Sequence, residues 1–384
     1  MNGDPCLARL AGLAGLLLTA AFGVSPVPGW AAEPIRIGEI ESMTGKEAAY
    51  GQGSHRGLQL AVDEINARGG VLGRPLAVVV EDNQSKAGES STLAKKLIGR
   101  DKVIAIVSGG ISTNCLEIGP ICQNARVPFV ATTATNAKVT EVGNFVFRNC
   151  FTDDFQGAIM AKFARQTLQV RRVAVMTSAS AVASVGLAKI FRASFVQLGG
   201  EIAIEQKYAE GDKDFRAQLT AIKASGPESL FVPAYYTEAA LICRQARELG
   251  LTFPIFGVDS WEAPELLEIG GAALNGTYYS THFTTENAAP AVTTFVGKFR
   301  ARYAGATPDS GATLTYDALL ILADAITRAG TTDGPKVRAA LAATTNFPGV
   351  TGRTTIDPQR NASKDVVIIK VDDGQLKYIE TITP

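Results

Sequence analysis

Val103-Ile-Ala-Ile-Val107 runs directly into Ser108-Gly-Gly-Ile-Ser112-Thr113-Asn114, and a helical pattern continues to residue 125. A β-branched run, a glycine turn and a hydroxyl residue at a helix start make one strand–loop–helix unit. The unit recurs upstream. Ile35-Arg-Ile-Gly-Glu-Ile40 leads to a helix near 54–68, and Leu76-Ala-Val-Val-Val-Glu81 to one near 86–100. Leu58, Ala61 and Ile65 repeat at helical spacing, as do Leu93 and Leu97, and Gly69-Gly70 closes the first helix. Downstream, Val127-Pro-Phe-Val-Ala131 supplies a fourth strand. This alternation predicts a parallel sheet covered by helices on both faces.

The pattern restarts after Asp153. Strands are expected at 173–177, 201–204, 230–233 and 254–258, with helices at 185–198, 214–225 and 237–249. Helices near 290–304, 312–329 and 335–344 follow, and two short strands at 366–371 and 375–379 end the chain. The fold class is therefore α/β, with two doubly wound parallel-sheet lobes and a cleft between them. The 384 residues suffice for two cores, since one core stops growing near ~250–300 residues. An apolar fraction of 46% excludes a disordered chain.

Lys and Arg total 37 and so do Asp and Glu, so the chain lacks the basic excess of a nucleic-acid binder. Two histidines, His55 and His282, are too few for a histidine-rich metal site, and no metal or cofactor is expected. No dinucleotide fingerprint or nucleophile elbow is present, so an enzyme is not expected. Leu10 to Val24 is uncharged, follows Arg9, and precedes Gly29-Trp-Ala31. That is the pattern of a secretory leader over residues 1–31, cleaved after Ala31 and too short to span a bilayer. The expected location is the periplasm. Four cysteines remain in the mature chain: Cys115, Cys122, Cys150 and Cys243. Cys115 and Cys122 sit about 10 Å apart along one helix, too far to bridge. Cys122 with Cys150, or four free thiols, both stay open.

Ligands in doubly wound sheets sit beyond the carboxyl ends of strands. There the sequence offers Ser112 or Thr113 as the cap of a helix whose first amides attract an anion. The hydroxyls of Thr132-Thr-Ala-Thr135 follow the fourth strand, and Asp259 follows the strand at 254–258. Tyr50 and Tyr235 lie in strand–helix loops. Each of these also serves as an ordinary cap, turn or loop residue. Together they suggest a zwitterion held across a cleft, its anionic end on the first half and its cationic end on Asp259.

In order, these stretches resemble the periplasmic leucine/isoleucine/valine-type binding proteins of ABC transporters, the type I periplasmic binding fold. The resemblance covers 34–384. It is carried by Tyr50-Gly-Gln-Gly53, Ala61-Val-Asp-Glu-Ile-Asn-Ala-Arg-Gly-Gly-Val-Leu-Gly73, Ala134-Thr-Asn-Ala-Lys-Val-Thr140 and Phe147-Arg-Asn-Cys-Phe-Thr-Asp-Asp-Phe-Gln-Gly157. Gly211-Asp-Lys-Asp-Phe215, Arg244-Gln-Ala-Arg-Glu-Leu-Gly-Leu251 and Thr315-Tyr-Asp-Ala318 complete it. The resemblance implies lobe 1 at 32–153 and 284–352, lobe 2 at 154–283 and 353–384, and a hinge of three crossovers. It implies a monomer that captures an amino acid or related small carboxylate and delivers it to ABC permease subunits. A sensor acting on a regulatory partner, or a binder of aromatic acids, amides or urea, is the alternative within this fold. Residue by residue, it implies Ser112 and Thr135 on the carboxylate, the Thr133 carbonyl and Asp259 on the ammonium, and Tyr50 and Tyr235 closing the pocket. Two departures stand out: Ala183 where a tyrosine is expected, and no cysteine partners for the lobe 1 disulfide.

Overall fold

Side chains of a strand alternate between two faces, and a strand covered on both sides must be apolar on both. The short Val/Ile/Phe runs of this chain meet that demand. The computed structural model describes residues 32–383; the leader expected over residues 1–31 lies outside the described residues. Its first part holds β1 (Ile35–Glu41), α1 (Ala48–Ala67), β2 (Leu76–Asp82), α2 (Glu89–Gly99), β3 (Ala105–Ser108) and α3 (Ser112–Ala125). Then come β4 (Phe129–Ala131), α4 (Lys138–Glu141) and β5 (Val146–Arg148). The five strands form a parallel sheet in the order β2-β1-β3-β4-β5.

The chain then crosses into α5 (Asp153–Gln166), β6 (Arg172–Ser178), α6 (Val182–Gln197), β7 (Glu201–Tyr208) and α7 (Arg216–Ser225). It continues through β8 (Ser229–Phe231), α8 (Tyr236–Glu248), β9 (Ile255–Gly257), α9 (Pro264–Gly270) and β10 (Thr277–Thr281). A return passage adds α10 (Pro290–Arg302), α11 (Ser310–Ala329), α12 (Gly334–Ala342) and the two-stranded β11 (Phe347–Gly349) and β12 (Gly352–Thr354). The last strands, β13 (Val366–Asp372) and β14 (Gln375–Ile382), join the second sheet, ordered β14-β13-β10-β9-β8-β6-β7. β6 to β10 are parallel, whereas β13 and β14 pair antiparallel at its edge.

Each sheet carries a core on both faces. Ile35, Ile37, Ala105 and Val107 pack under α1, α10 and α11; Ile40, Ile106 and Phe129 pack under α2 and α3. In the second sheet Ala174 and Met176 face α7 and α8, and Val173 and Val175 face α5 and α6. In both sheets the chain reverses strand order once, between β1 and β3 and between β6 and β8. Those two switch points open the crevices into which strand-end loops project.

Four features depart from the sequence reading. Helix α1 starts at Ala48 rather than near 54, so Tyr50 sits in its first turn and not in a loop. Helix α5 was unforeseen, although Thr152 caps it by accepting from the Phe155 amide and Asp153 and Asp154 occupy its first turn. That Thr-Asp-Asp triplet is a helix-start signal. Strands β5 and β10 escaped because one has three residues and the other, Thr-Tyr-Tyr-Ser-Thr, looks polar. Finally, residues 353–362 pack on the first sheet's side: Ile356 and Ala362 join its core, and Arg360 donates to the Thr140 carbonyl at 2.7 Å. Among the described residues all four cysteines, Cys115, Cys122, Cys150 and Cys243, are buried and unbridged.

Helices α1 and α11 pack closely because Gly57 has no side chain. A Cβ there would lie 1.9 Å from the Ala312 carbonyl oxygen. Gly57→Ala is therefore expected to lose about 1–3 kcal/mol or more, seen as a lower urea midpoint. Gly99→Ala, where a Cβ meets nothing within 4 Å, is the control and should leave the midpoint in place. Equal midpoints for both variants would refute the close approach.

Candidate functional site

The glycine loop after β3 is pressed into position from below. The Gly109 amide donates to the buried Glu41 carboxylate on β1, and a Cβ at Gly109 would lie 2.0 Å from Ser54 Oγ. Only glycine fits that approach. The loop delivers α3 with Ile111 as its cap residue, in extended conformation and without a side-chain hydrogen bond to the helix. This corrects the expected cap. Ser112 is the first helical residue, and its Oγ accepts from the Asn136 amide at 3.3 Å. With no side chain capping them, the first amides of α3 face the crevice as an uncapped positive helix mouth.

The loop after β4 forms the adjoining wall. Thr133 Oγ1 donates to the Gly110 carbonyl at 3.2 Å, and Thr132 pairs with Thr315 at 2.9 Å. The fully buried Arg148 guanidinium donates to the Ala134 and Asn136 carbonyls, each at 2.8 Å, and to Asn361 at 2.9 Å. It fixes the loop that carries Thr133 and Thr135.

The opposite wall comes from the second sheet. Asp259 opens a short 3₁₀ turn after β9. Its Oδ1 accepts from Gln156 Nε2 at 2.8 Å, and its Oδ2 lies 3.2 Å from His282 Nε2. The His282 ring stacks on Phe151 with centroids 3.6 Å apart, so two crossover segments hold the acid. Trp261, two residues on, is fully buried and donates to the Val232 carbonyl, away from the cleft.

These walls enclose about 660 Å³ of empty space, including the part open to solvent. Tyr50, Ser112, Thr133, Thr135, Tyr235 and Asp259 all line it. Thr113 does not: each helical step turns about 100°, which rotates its side chain out of the wall that Ser112 faces. Sequence reading missed Glu262, His282, Asp309 and Ser310, which also line the cleft. Glu262 accepts from the Ser310 amide at 3.2 Å and from the Thr281 hydroxyl, which joins the two halves of the chain. Pro-Asp-Ser before α11 is a readable cap, but nothing in it points to a cleft.

Among the described residues no lysine or arginine lines the cleft, while Asp259, Glu262 and Asp309 do. The second-sheet wall, which carries Asp259 and Glu262, therefore favours a cation. Closure contacts ring the entrance. Tyr50 donates its hydroxyl to the Ser260 carbonyl, and Tyr236 donates to the Lys46 carbonyl at 2.7 Å. Lys46 also pairs with Glu210, and Tyr50 meets Tyr235 edge-on at 6.2 Å. The halves thus touch across the crevice.

Burial pushes the Glu262 carboxyl up to about 7, and the Asp309 carboxylate adds to the rise. Burial also takes Asp153, at the first crossover, to about 7. Both native values exceed those of an unfolded chain, so from about pH 4 to 7 the native state keeps protons that the unfolded chain has released. Their stabilisation is full at low pH and is lost as pH rises through about 7. The ligand-free protein should accordingly melt at a lower temperature at about pH 8 than at about pH 5. Glu262→Gln and Asp153→Asn should flatten that slope in thermal scans; slopes equal to that of the unaltered protein would refute the assignment.

A family model described as "Periplasmic binding protein" matches residues 34–375. An amino acid binding protein of Pseudomonas aeruginosa is 30% identical over 84% of this chain and 86% of its own. The crystal structure of the leucine binding protein LivK from Thermotoga maritima superposes with a TM-score of 0.87 at 38% identity, covering 91% of this chain and 99% of that one. The branched-chain amino acid transporter substrate binding protein LivJ from Streptococcus pneumoniae, in complex with isoleucine, gives 0.87 at 32% identity, with 91% and 100% covered.

Proposed function

The chain belongs to the periplasmic binding protein family, and from that premise we propose that it captures an α-amino acid in the cleft and presents it to an ABC importer. The observation that carries this reading is the uncapped mouth of α3 on one wall facing the Asp259 carboxylate on the other. An α-amino acid carries both complementary charges at a fixed short spacing. Its carboxylate sits on the first amides of α3, including the backbone of Thr113, with the Ser112 and Thr135 hydroxyls beside it. Its ammonium meets Asp259 and the Thr133 carbonyl. Tyr50 and Tyr235 close over it.

Capture proceeds by hinge closure rather than turnover, with no metal or cofactor. Lobe 1 comprises 32–153 and 284–362, and lobe 2 the remainder; the last crossover is set past Ala362 because that stretch packs on the first sheet. The ligand contacts both lobes only when they are shut, so binding shifts the population to the closed form that a permease reads. The protein acts as a monomer in the periplasm, exported by its 1–31 leader. Solved relatives bear the names of leucine- and branched-chain-binding proteins, which makes amino acids the first class to test.

Protein unfolded, dialysed and refolded to strip any carried ligand should gain melting temperature with at least one L-amino acid. No shift across an amino-acid and aromatic-acid panel, with no compaction in scattering, would refute capture. Aromatic acids alone shifting it would move the reading to that class. Asp259→Asn should weaken amino-acid binding by ten- to hundredfold, about 1.4–2.8 kcal/mol, and far less for the deamino analogue. Equal losses would remove Asp259 from the ammonium site. Ser112→Ala should weaken every carboxylate ligand by several-fold in calorimetric titration; unchanged affinity would remove it from the anion seat.

A further inference from the structure

Behind the cleft lies a second, smaller and tighter chamber, with about 270 Å³ of empty space including the part open to solvent. Ala183, Leu187, Tyr235 and Ser260 line both spaces, so they share a wall. Ala183 is at the start of α6, and its methyl group is all that this position places between them. The far side of the chamber is polar. Ser178, 2% exposed at the end of β6, has the Tyr208 phenol near its Oγ and no other side-chain or backbone hydrogen bond to that atom. The Glu238 carboxyl, 6% exposed, also lines the chamber. One of its oxygens accepts from the Gly211 amide at 2.9 Å, which leaves further lone pairs for another donor. Among the described residues no lysine or arginine lines the chamber. The nearby Lys46 is engaged by Glu47 at 3.2 Å and by Glu210.

We propose that the ligand's side chain runs past Ala183 into this chamber, and that the chamber selects a side chain ending in an N–H donor, an amide or an ammonium. The proposal rests on the amino-acid reading above and names the class of amino acid. The Glu238 carboxylate only accepts hydrogen bonds, and the Ser178 hydroxyl can accept one as well as donate. An aliphatic end would strip them of water and return no hydrogen bond, which is the most effective form of discrimination a binding site has. The methyl group of Ala183 takes up little of the shared wall, where a bulky side chain would fill it.

The test uses the mature chain, refolded free of carried ligand and titrated calorimetrically with L-alanine, L-norleucine, L-glutamine and L-lysine. L-alanine engages only the head-group site; L-norleucine matches the longer ligands in reach but ends in a methyl group. L-glutamine or L-lysine should bind at least about tenfold tighter than L-norleucine. Ser178→Ala and Glu238→Gln should each reduce that preference by about tenfold while affecting L-alanine much less. Ala183→Tyr, which fills the passage and spares both polar groups, should also abolish the preference; it keeps the test decisive should a chamber variant fold poorly. L-norleucine binding as tightly as the polar ligands would overturn the chamber's role and leave the head-group reading intact. So would Ser178→Ala and Glu238→Gln weakening L-alanine as much as L-glutamine. Binding of no α-amino acid at all would overturn both.

Discussion

A helix cannot satisfy its own first amides, and in α3 no side chain does so either. Much of the first half of the chain is arranged around that deficit. Glu41 holds the Gly109 loop down on the sheet with Ser54 packed close against it, Ser112 is tied to Asn136, and Arg148 clamps the carbonyls of the neighbouring loop. Arg148 is fully buried, so it lowers its own desolvation penalty only by bonding to several carbonyls at once. The result is a rigid, donor-rich seat, built on backbone groups that a change of side chain barely alters.

The second half supplies the opposite charge by a different device. Asp259 is held by Gln156 from α5 and by His282 from the passage after β10, with Phe151 stacked on the histidine. Both partners lie next to crossovers, where the chain passes between sheets. Glu262 and Ser310 link the halves there too. In the closure proposed above, the residues that aim the acid therefore sit on the same short segments that would bend.

Much of the architecture was legible from local patterns. Short β-branched runs alternating with helical periods fixed α/β layering, because strand and helix periods are local properties of the chain. The strand-end loops around Ser112, Thr133, Thr135 and Asp259 were legible for the same reason: doubly wound sheets put ligands there. The misses have physical causes. Helix α5 was hidden by a modest apolar face despite its Thr152 cap, and β10 by a polar sequence that is nonetheless buried in the sheet, as at Thr277 and Ser280. The cap of α3 fell on Ile111 because extended backbone geometry, not side-chain type, sets where a helix begins.

By itself the sequence determined the two-sheet alternation, the neutral, histidine-poor chemistry and the hydroxyl and acid residues offered at strand ends. These follow from neighbours along the chain. Only the tertiary structure decided that Glu262, His282 and Asp309 join Asp259 around one space, that Thr113 turns away from it, and that Ala183 borders a second chamber ending at Ser178 and Glu238. Those facts depend on residues far apart in sequence packing against one another, and no local period records which ones will meet.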